Sequence, residues 1–221
     1  MQIKTVTLLL VLFSLFTACA RNGEPVEVVS GSGNVVTEER SVSGFTAVGL
    51  RGAGHLIIDE SGKESLSITT DDNLLPYIET SIQGDELVIS IQDGVVFTDV
   101  SELTYNVSAA NLNKVALEGG GKVEIANLDE DELQVTLSGA GEVEAAGNVE
   151  KQTVQISGAG AYNASDLASR DATVRHDGAG IAVIQVSENL DVTINGLGSV
   201  EYIGNPSVSE EINGLGTVRK R

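Results

Sequence analysis

Glu124, Glu144 and Glu201 each stand five residues after the first glycine of a Gly-x-Gly triplet. If those triplets mark equivalent points on neighbouring strands, the carboxyl groups come to roughly 5 Å, because adjacent β-strands lie about 4.8 Å apart. A retaining glycosidase places its acid and its nucleophile at about that separation. Asn163 and Val183 occupy the same offset in two other copies, so the column equally describes a solvated acidic face. The aromatic platform that a sugar ring would stack on is missing, since Tyr162 and Tyr202 fall at inward positions.

Other chemistry-bearing residues lead to weaker chemistry. His176 precedes Asp177 and could form a base with it, but consecutive residues of a strand point to opposite faces. His176 stands in an otherwise apolar column and His55 directly follows a glycine triplet, which are positions for packed or turn-satisfied histidines. Asp129-Glu130-Asp131-Glu132 would suit calcium by charge. It has no EF-hand spacing, however, and reads as a solvated loop between repeats. Lys122, Glu142 and Ala161 follow the second glycines where a calcium-binding nonapeptide repeat needs Asp. No Gly-x-Ser-x-Gly elbow occurs. The triplets lack the third glycine of a nucleotide loop. These residues name no catalytic group, cofactor or metal.

The elements that would position those side chains are legible in the glycines. Triplets recur as Gly119-Gly120-Gly121, Gly139-Ala140-Gly141, Gly158-Ala159-Gly160, Gly178-Ala179-Gly180, Gly196-Leu197-Gly198 and Gly214-Leu215-Gly216, at spacings of 20, 19, 20, 18 and 18. Gly52-Ala53-Gly54 and Gly31-Ser32-Gly33 are earlier copies, and the eight triplets hold 17 of the 25 glycines. Two residues before each first glycine stand Leu50, Leu117, Leu137, Ile156, His176, Ile194 and Ile212. Four residues before stand Val48, Val115, Val135, Val154, Val174 and Val192, with Glu210 breaking the column. Mostly polar residues separate the two columns, which is the period of a strand with one buried face. Ser138, Ser157, Asp177, Asn195 and Asn213 precede the glycines, as local hydrogen bonding in a turn favours. Glycine then supplies either a positive φ or room for neighbouring chains to approach.

A strand, a glycine turn and another strand every 18 to 20 residues predict a parallel β-solenoid, whose repeats bury an apolar face only by stacking. A propeller blade needs about 40 residues, and a sandwich does not require so regular a glycine column. The 67 residues from Gly52 to Gly119 would hold three repeats at this pitch, but the pattern there loosens. Leu66–Thr70, Tyr77–Ile82, Leu87–Ile91 and Leu103–Val107 read as strands, with a hairpin at Gly84-Asp85 and a helical turn over Asp71–Leu75. This segment would close one end of the array, while Arg219-Lys220-Arg221 charges the other.

Location is read from the first residues and from charge. Lys4, the apolar run Leu8–Phe13 and the small residues after it describe an export signal. The run falls short of the roughly 20 residues that span a bilayer. Phe16-Thr17-Ala18-Cys19 has the form of a bacterial lipobox, in which the lone cysteine would be lipidated and become the mature N-terminus. Ordinary cleavage after Ala18-Cys19-Ala20 is the alternative. Ala20 after the cysteine matches the outer-membrane sorting pattern of some Gram-negative bacteria. The chain has 13 Lys+Arg against 32 Asp+Glu, net −19. Removal of residues 1–18 takes Lys4 and no acid, leaving −20. That charge excludes nucleic acid as a partner and repels anionic lipid head groups.

The residues Gly31-Ser32-Gly33-Asn34-Val35-Val36, Arg40-Ser41-Val42-Ser43-Gly44-Phe45, Ile194-Asn195-Gly196-Leu197-Gly198 and Ile212-Asn213-Gly214-Leu215-Gly216 carry a resemblance over about residues 34–218. They resemble the bacterial "putative auto-transporter adhesin, head GIN domain" family. The resemblance implies an exported β-solenoid, often on a lipoprotein, and supplies no catalytic residues. Auto-transporters end in a membrane β-barrel, whereas residues after 110 here keep the glycine pitch. The expected organisation is a signal peptide over 1–18, an anchor and tether over 19–33, an irregular β part over 34–110 and regular repeats over 111–218. The expected function is that of a non-enzymatic envelope lipoprotein, held in the outer membrane by lipid on Cys19 and binding a protein or polysaccharide. The alternative is a carbohydrate-active β-helix enzyme with an acidic site.

Overall fold

A computed structural model of the chain describes residues 26–221. The strands in chain order begin β1 (Glu27–Ser30), β2 (Val35–Arg40), β3 (Ala47–Gly52), β4 (His55–Glu60), β5 (Ser65–Asp71) and β6 (Ile78–Gln83). They continue β7 (Glu86–Ile91), β8 (Val95–Thr98), β9 (Leu103–Ala109), β10 (Lys114–Gly119), β11 (Lys122–Gly139) and β12 (Glu142–Ile156). The last are β13 (Ala161–His176), β14 (Ile181–Ile194), β15 (Ser199–Ile203), β16 (Ser207–Ile212) and β17 (Thr217–Lys220). The signal segment, Cys19 and the first part of the tether lie outside the described residues.

The fold is all-β, one long and mostly parallel sheet that does not close into a barrel. The glycine pitch becomes pairing register. Val115 lies opposite Val48 and Val135, and Leu117 opposite Leu50 and Leu137. β11 rests its first half on β4 and its second on β10, so Val123 faces Leu56 while Val135 faces Val115. β12, β13 and β14 follow in parallel along most of their length, and β15, β16 and β17 complete that end. Both apolar columns are buried from Val48 and Leu50 through Val192 and Ile194. Each aliphatic side chain so buried contributes roughly 1.5–3 kcal/mol, and its neighbours above and below supply that burial.

The glycine turns are stitched together by the main chain. Ala140 N–H donates to Gly119 O at 2.9 Å, Ala159 to Gly139 O at 2.8 Å and Ala179 to Gly158 O at 2.9 Å. At Gly139 the backbone itself demands glycine, with φ +141°. At Gly178 the reason is close approach, because a Cβ there would fall onto the carbonyl oxygen of Gly158. Glu210 comes to lie in β16, every residue of which is exposed. An inward-column charge on an edge strand opposes pairing with another chain.

Four expectations need correction. The interval from Gly52 to Gly119 does not hold three repeats, since Gly52 and Gly119 are direct register partners. β3 lies between β7 and β10, and β4 between β9 and β11, so segment 47–60 is sandwiched out of chain order. β6 pairs with β7, and β5 with β2 and β9, all antiparallel. Antiparallel neighbours need no glycine triplet, which is why the pattern loosens there. The hairpin at Gly84-Asp85 forms, between the paired Gln83 and Glu86, but the helical turn is a single 3-10 turn at Leu75–Tyr77 instead of Asp71–Leu75. Its position follows Pro76, whose missing N–H suits the first turn of a helix. The acidic run 129–132 is not a loop, since it lies within β11. Gly31-Ser32-Gly33 does not join the glycine stack. Gly33 N–H donates to Asp71 Oδ1 at 2.7 Å, and Ser101 N–H to Asp71 Oδ2 at 2.8 Å, pinning the turn before β2.

Candidate functional site

The carboxylate column forms as the spacing requires. Glu124 is the register partner of Glu144, followed by Asn163, Val183 and Glu201. Lys122 stands on the same face and sets the chemistry. Its Nζ lies 2.7 Å from Glu124 Oε1 and 3.2 Å from Glu144 Oε2, and His55 Nε2 is 3.1 Å from the same Glu124 oxygen. The hydrogen bond from Lys122 is the main cause holding the Glu124 carboxyl below its ordinary pKa. A retaining pair needs one carboxyl protonated to give up its proton, and the lysine that bridges the two favours the charged form of Glu124. Glu201 is likewise held low, chiefly by Arg219, with Arg221 Nε 3.8 Å away. The groove over this column has a volume of about 340 Å³.

His176 is fully buried between Ile156 and Ile194 in the apolar column. Gly178 N–H donates to its Nδ1 at 3.3 Å, and Nε2 has no partner among the described residues. Burial pushes its pKa down, so the ring is neutral at pH 7 and faces no substrate. Among the described residues no cluster of three metal-ligating side chains occurs.

One member of the acidic run, Glu130, meets Glu60 at the end of β4, a carboxyl pair that the sequence reading missed. Asp129 N–H donates to Glu60 Oε2 at 3.0 Å and Leu112 N–H to Glu130 Oε1 at 3.2 Å. Burial first, then the Glu130 carboxyl, push the Glu60 pKa up to about 7. A carboxyl raised in the folded state stabilises fully below its unfolded value near 4.5, and the contribution is lost as pH rises through about 7. Glu60→Gln is therefore expected to raise the thermal midpoint at pH 8 and leave it unchanged at pH 4. Parallel shifts at both pH values would refute the proton-sharing pair.

A second place breaks the repeat. β3 and β7 keep register to Arg51 opposite Ser90, and β4 and β9 resume it at His55 opposite Thr104. Between those pairs the upper chain spends three residues, 52–54, and the lower chain thirteen, 91–103. The surplus swings out as β8, which pairs in parallel with β1. Behind it opens a groove of about 580 Å³, lined by Gly52-Ala53-Gly54, Ile91, Val95, Val96, Phe97 and Leu103, with Arg51 and Asp93 as its charged residues. A polar cleft of about 770 Å³ adjoins it and shares Arg51, Ile91 and Asp93. Arg40 in that cleft is already committed, donating to Glu38 Oε1 at 2.7 Å, Ile78 O at 2.7 Å and Leu75 O at 3.3 Å. Arg51 has one partner among the described residues, Glu118 at 3.7 Å.

Comparison with known proteins places this geometry. Residues 44–206 match the family model described as "Putative auto-transporter adhesin, head GIN domain". No curated protein matches the sequence. Among solved structures, a "putative adhesin" from Bacteroides fragilis is similar with TM-score 0.71 and 21% identity, covering 87% of this chain and 100% of that one. A "putative adhesin" from Parabacteroides merdae is similar with TM-score 0.54 and 22% identity over 88% and 99% of the two chains. A "putative lipid binding protein" from Parabacteroides distasonis gives TM-score 0.52 and 20% identity over 88% and 100%. Identities of this size carry the fold.

Proposed function

The chain belongs to the head GIN domain family, and on that footing we propose that it is an exported envelope lipoprotein whose β-solenoid serves as a non-enzymatic binding or scaffold module. The observation that carries the non-enzymatic reading is Lys122, which bridges Glu124 and Glu144 and holds the Glu124 carboxyl in its charged form. A solenoid is supported by the near-constant offset between register partners, about one repeat, from β10 to β17. Family membership supports an envelope-associated, adhesin-like role.

Cys19, following Phe16-Thr17-Ala18, is the attachment point for lipid. The acidic domain stands off from anionic head groups, and the lipid holds it at the outer membrane. Palmitate labelling tests the anchor. The wild-type chain is expected to take label and Cys19→Ala to take none, and label retained by the variant would remove the anchor. Protease treatment of intact cells tests the adhesin-like role, because complete protection would confine the domain to the periplasm.

A further inference from the structure

The groove behind β8 lies where the stack would otherwise continue, and it is left with unmet hydrogen-bonding capacity. The middle residue of every later triplet donates its N–H to the first-glycine carbonyl of the turn below. Gly120 reaches Gly52 O at 3.0 Å, Leu197 reaches Gly178 O at 2.9 Å and Leu215 reaches Gly196 O at 3.0 Å. Ala53 is the corresponding residue of the lowest turn. The chain beneath it has swung away, and its N–H has no acceptor among the described residues.

β8 contributes a free edge. It pairs only with β1 among the described residues. Glu27 N–H donates to Gly94 O at 2.8 Å and Gly31 N–H to Thr98 O at 2.9 Å, so the even-numbered residues turn their main chain toward β1. Main-chain groups alternate along a strand, and those of Val95 and Phe97 therefore point the other way; the Val95 N–H is taken by Gln92 O at 3.1 Å, which leaves Phe97 as the residue open for pairing. Val95, Val96 and Phe97 all line the groove.

We propose that this groove takes the C-terminal end of an extended peptide. The peptide main chain adds to the free edge of β8, in the manner of strand addition. Its terminal carboxylate is received by Ala53 N–H and the Arg51 guanidinium, a cation with spare donors in a chain of net charge −19. Its last side chain, apolar, packs against Phe97 and Leu103, which also contact the core. Asp93 in the same lining repels further acidic residues in the ligand. An acyl chain fits the apolar wall less well, since it would cover the main-chain groups of Phe97 without bonding them, and a covered main-chain group without a partner is unfavourable.

The inference rests on the binding-module reading, and its failure would leave lipid attachment at Cys19, tested separately, intact. The full chain in mild detergent is immobilised and offered two random octapeptide libraries, one with free C-terminal carboxylates and one amidated, and the retained peptides are sequenced by mass spectrometry. The free-acid library is expected to be enriched in peptides with an apolar last residue, about tenfold over the amidated library, as loss of a charge-assisted bond implies. Arg51→Gln is expected to abolish that preference with an unchanged thermal midpoint. No enrichment, or equal enrichment of amidated peptides, overturns the proposal. Saturable binding of hexadecanoate without peptide enrichment would make the groove an acyl site and overturn it as well.

Discussion

Gly178→Ala is expected to destabilise the protein by more than about 4 kcal/mol, whereas Gly120→Ala should change stability by less than about 0.5 kcal/mol. Both replace a glycine of the same triplet motif with the smallest side chain. At Gly178 the new Cβ meets the carbonyl oxygen, carbon and nitrogen of Gly158. Those atoms are main chain and cannot rotate aside, so the two turns must separate. Separation breaks the bonds from Ala179 N–H to Gly158 O at 2.9 Å and from Asp177 N–H to Ile156 O at 2.8 Å. Coupling in such arrays runs between nearest neighbours, so everything beyond β13 loses its template. At Gly120 a Cβ meets nothing within 4 Å, and the equivalent positions already carry Ala140, Ala159 and Ala179. Urea unfolding followed by circular dichroism reads the difference. Equal midpoints for the two variants would refute close approach as the reason for glycine.

The second large effect is expected at Gln152. Its side chain is fully buried, donates to Ser169 Oγ at 2.8 Å and Gln185 O at 3.3 Å, and accepts from Tyr162 Oη at 3.2 Å. Ser169 Oγ donates in turn to Gln185 O at 2.8 Å. Burial holds the Tyr162 phenol protonated, its pKa pushed well above the usual value. Gln152→Ala strands the tyrosine hydroxyl, takes from Ser169 Oγ the donor it accepts from and opens a cavity, for a loss of about 3–5 kcal/mol. The double variant Gln152→Leu, Tyr162→Phe should recover most of that loss, because Ser169 Oγ still donates to Gln185 O and the two groups that depended on each other are removed together. Thermal unfolding of the two proteins decides. A double variant as unstable as Gln152→Ala would show that packing, and not unmet polarity, sets the cost.

The regular half of the fold was written in the glycines. Equal offsets from them locate the stacked valines and leucines, and they also bring Glu124 beside Glu144, because pairing register is set by repeat length alone. Gln152 was within reach of the same reasoning. The column six residues before the first glycine of the last five triplets reads Leu133, Gln152, Ala172, Leu190 and Val208, and a glutamine among aliphatic residues marks a buried polar group. The irregular half was not legible. Nothing local in residues 47–60 records that they pair with residues 86–109 below and 114–126 above. The groove exists only because of that pairing, since Ala53 loses its acceptor through what the chain does forty residues later. Lys122 escaped notice because alternation gives its face but not the reach of a flexible side chain to two carboxylates.

The out-of-order sandwich around residues 47–60 has a consequence for how the protein is made. A chain appearing N-terminus first must deliver residues up to 109 before β3 and β4 are covered from below. The platform is then complete just before β10, its first addition, emerges. From there on order of appearance and order of stacking coincide, and each new stretch needs only its predecessor. Growth becomes vectorial, one layer per 18 to 20 residues delivered, with no partly built layer waiting for a distant segment.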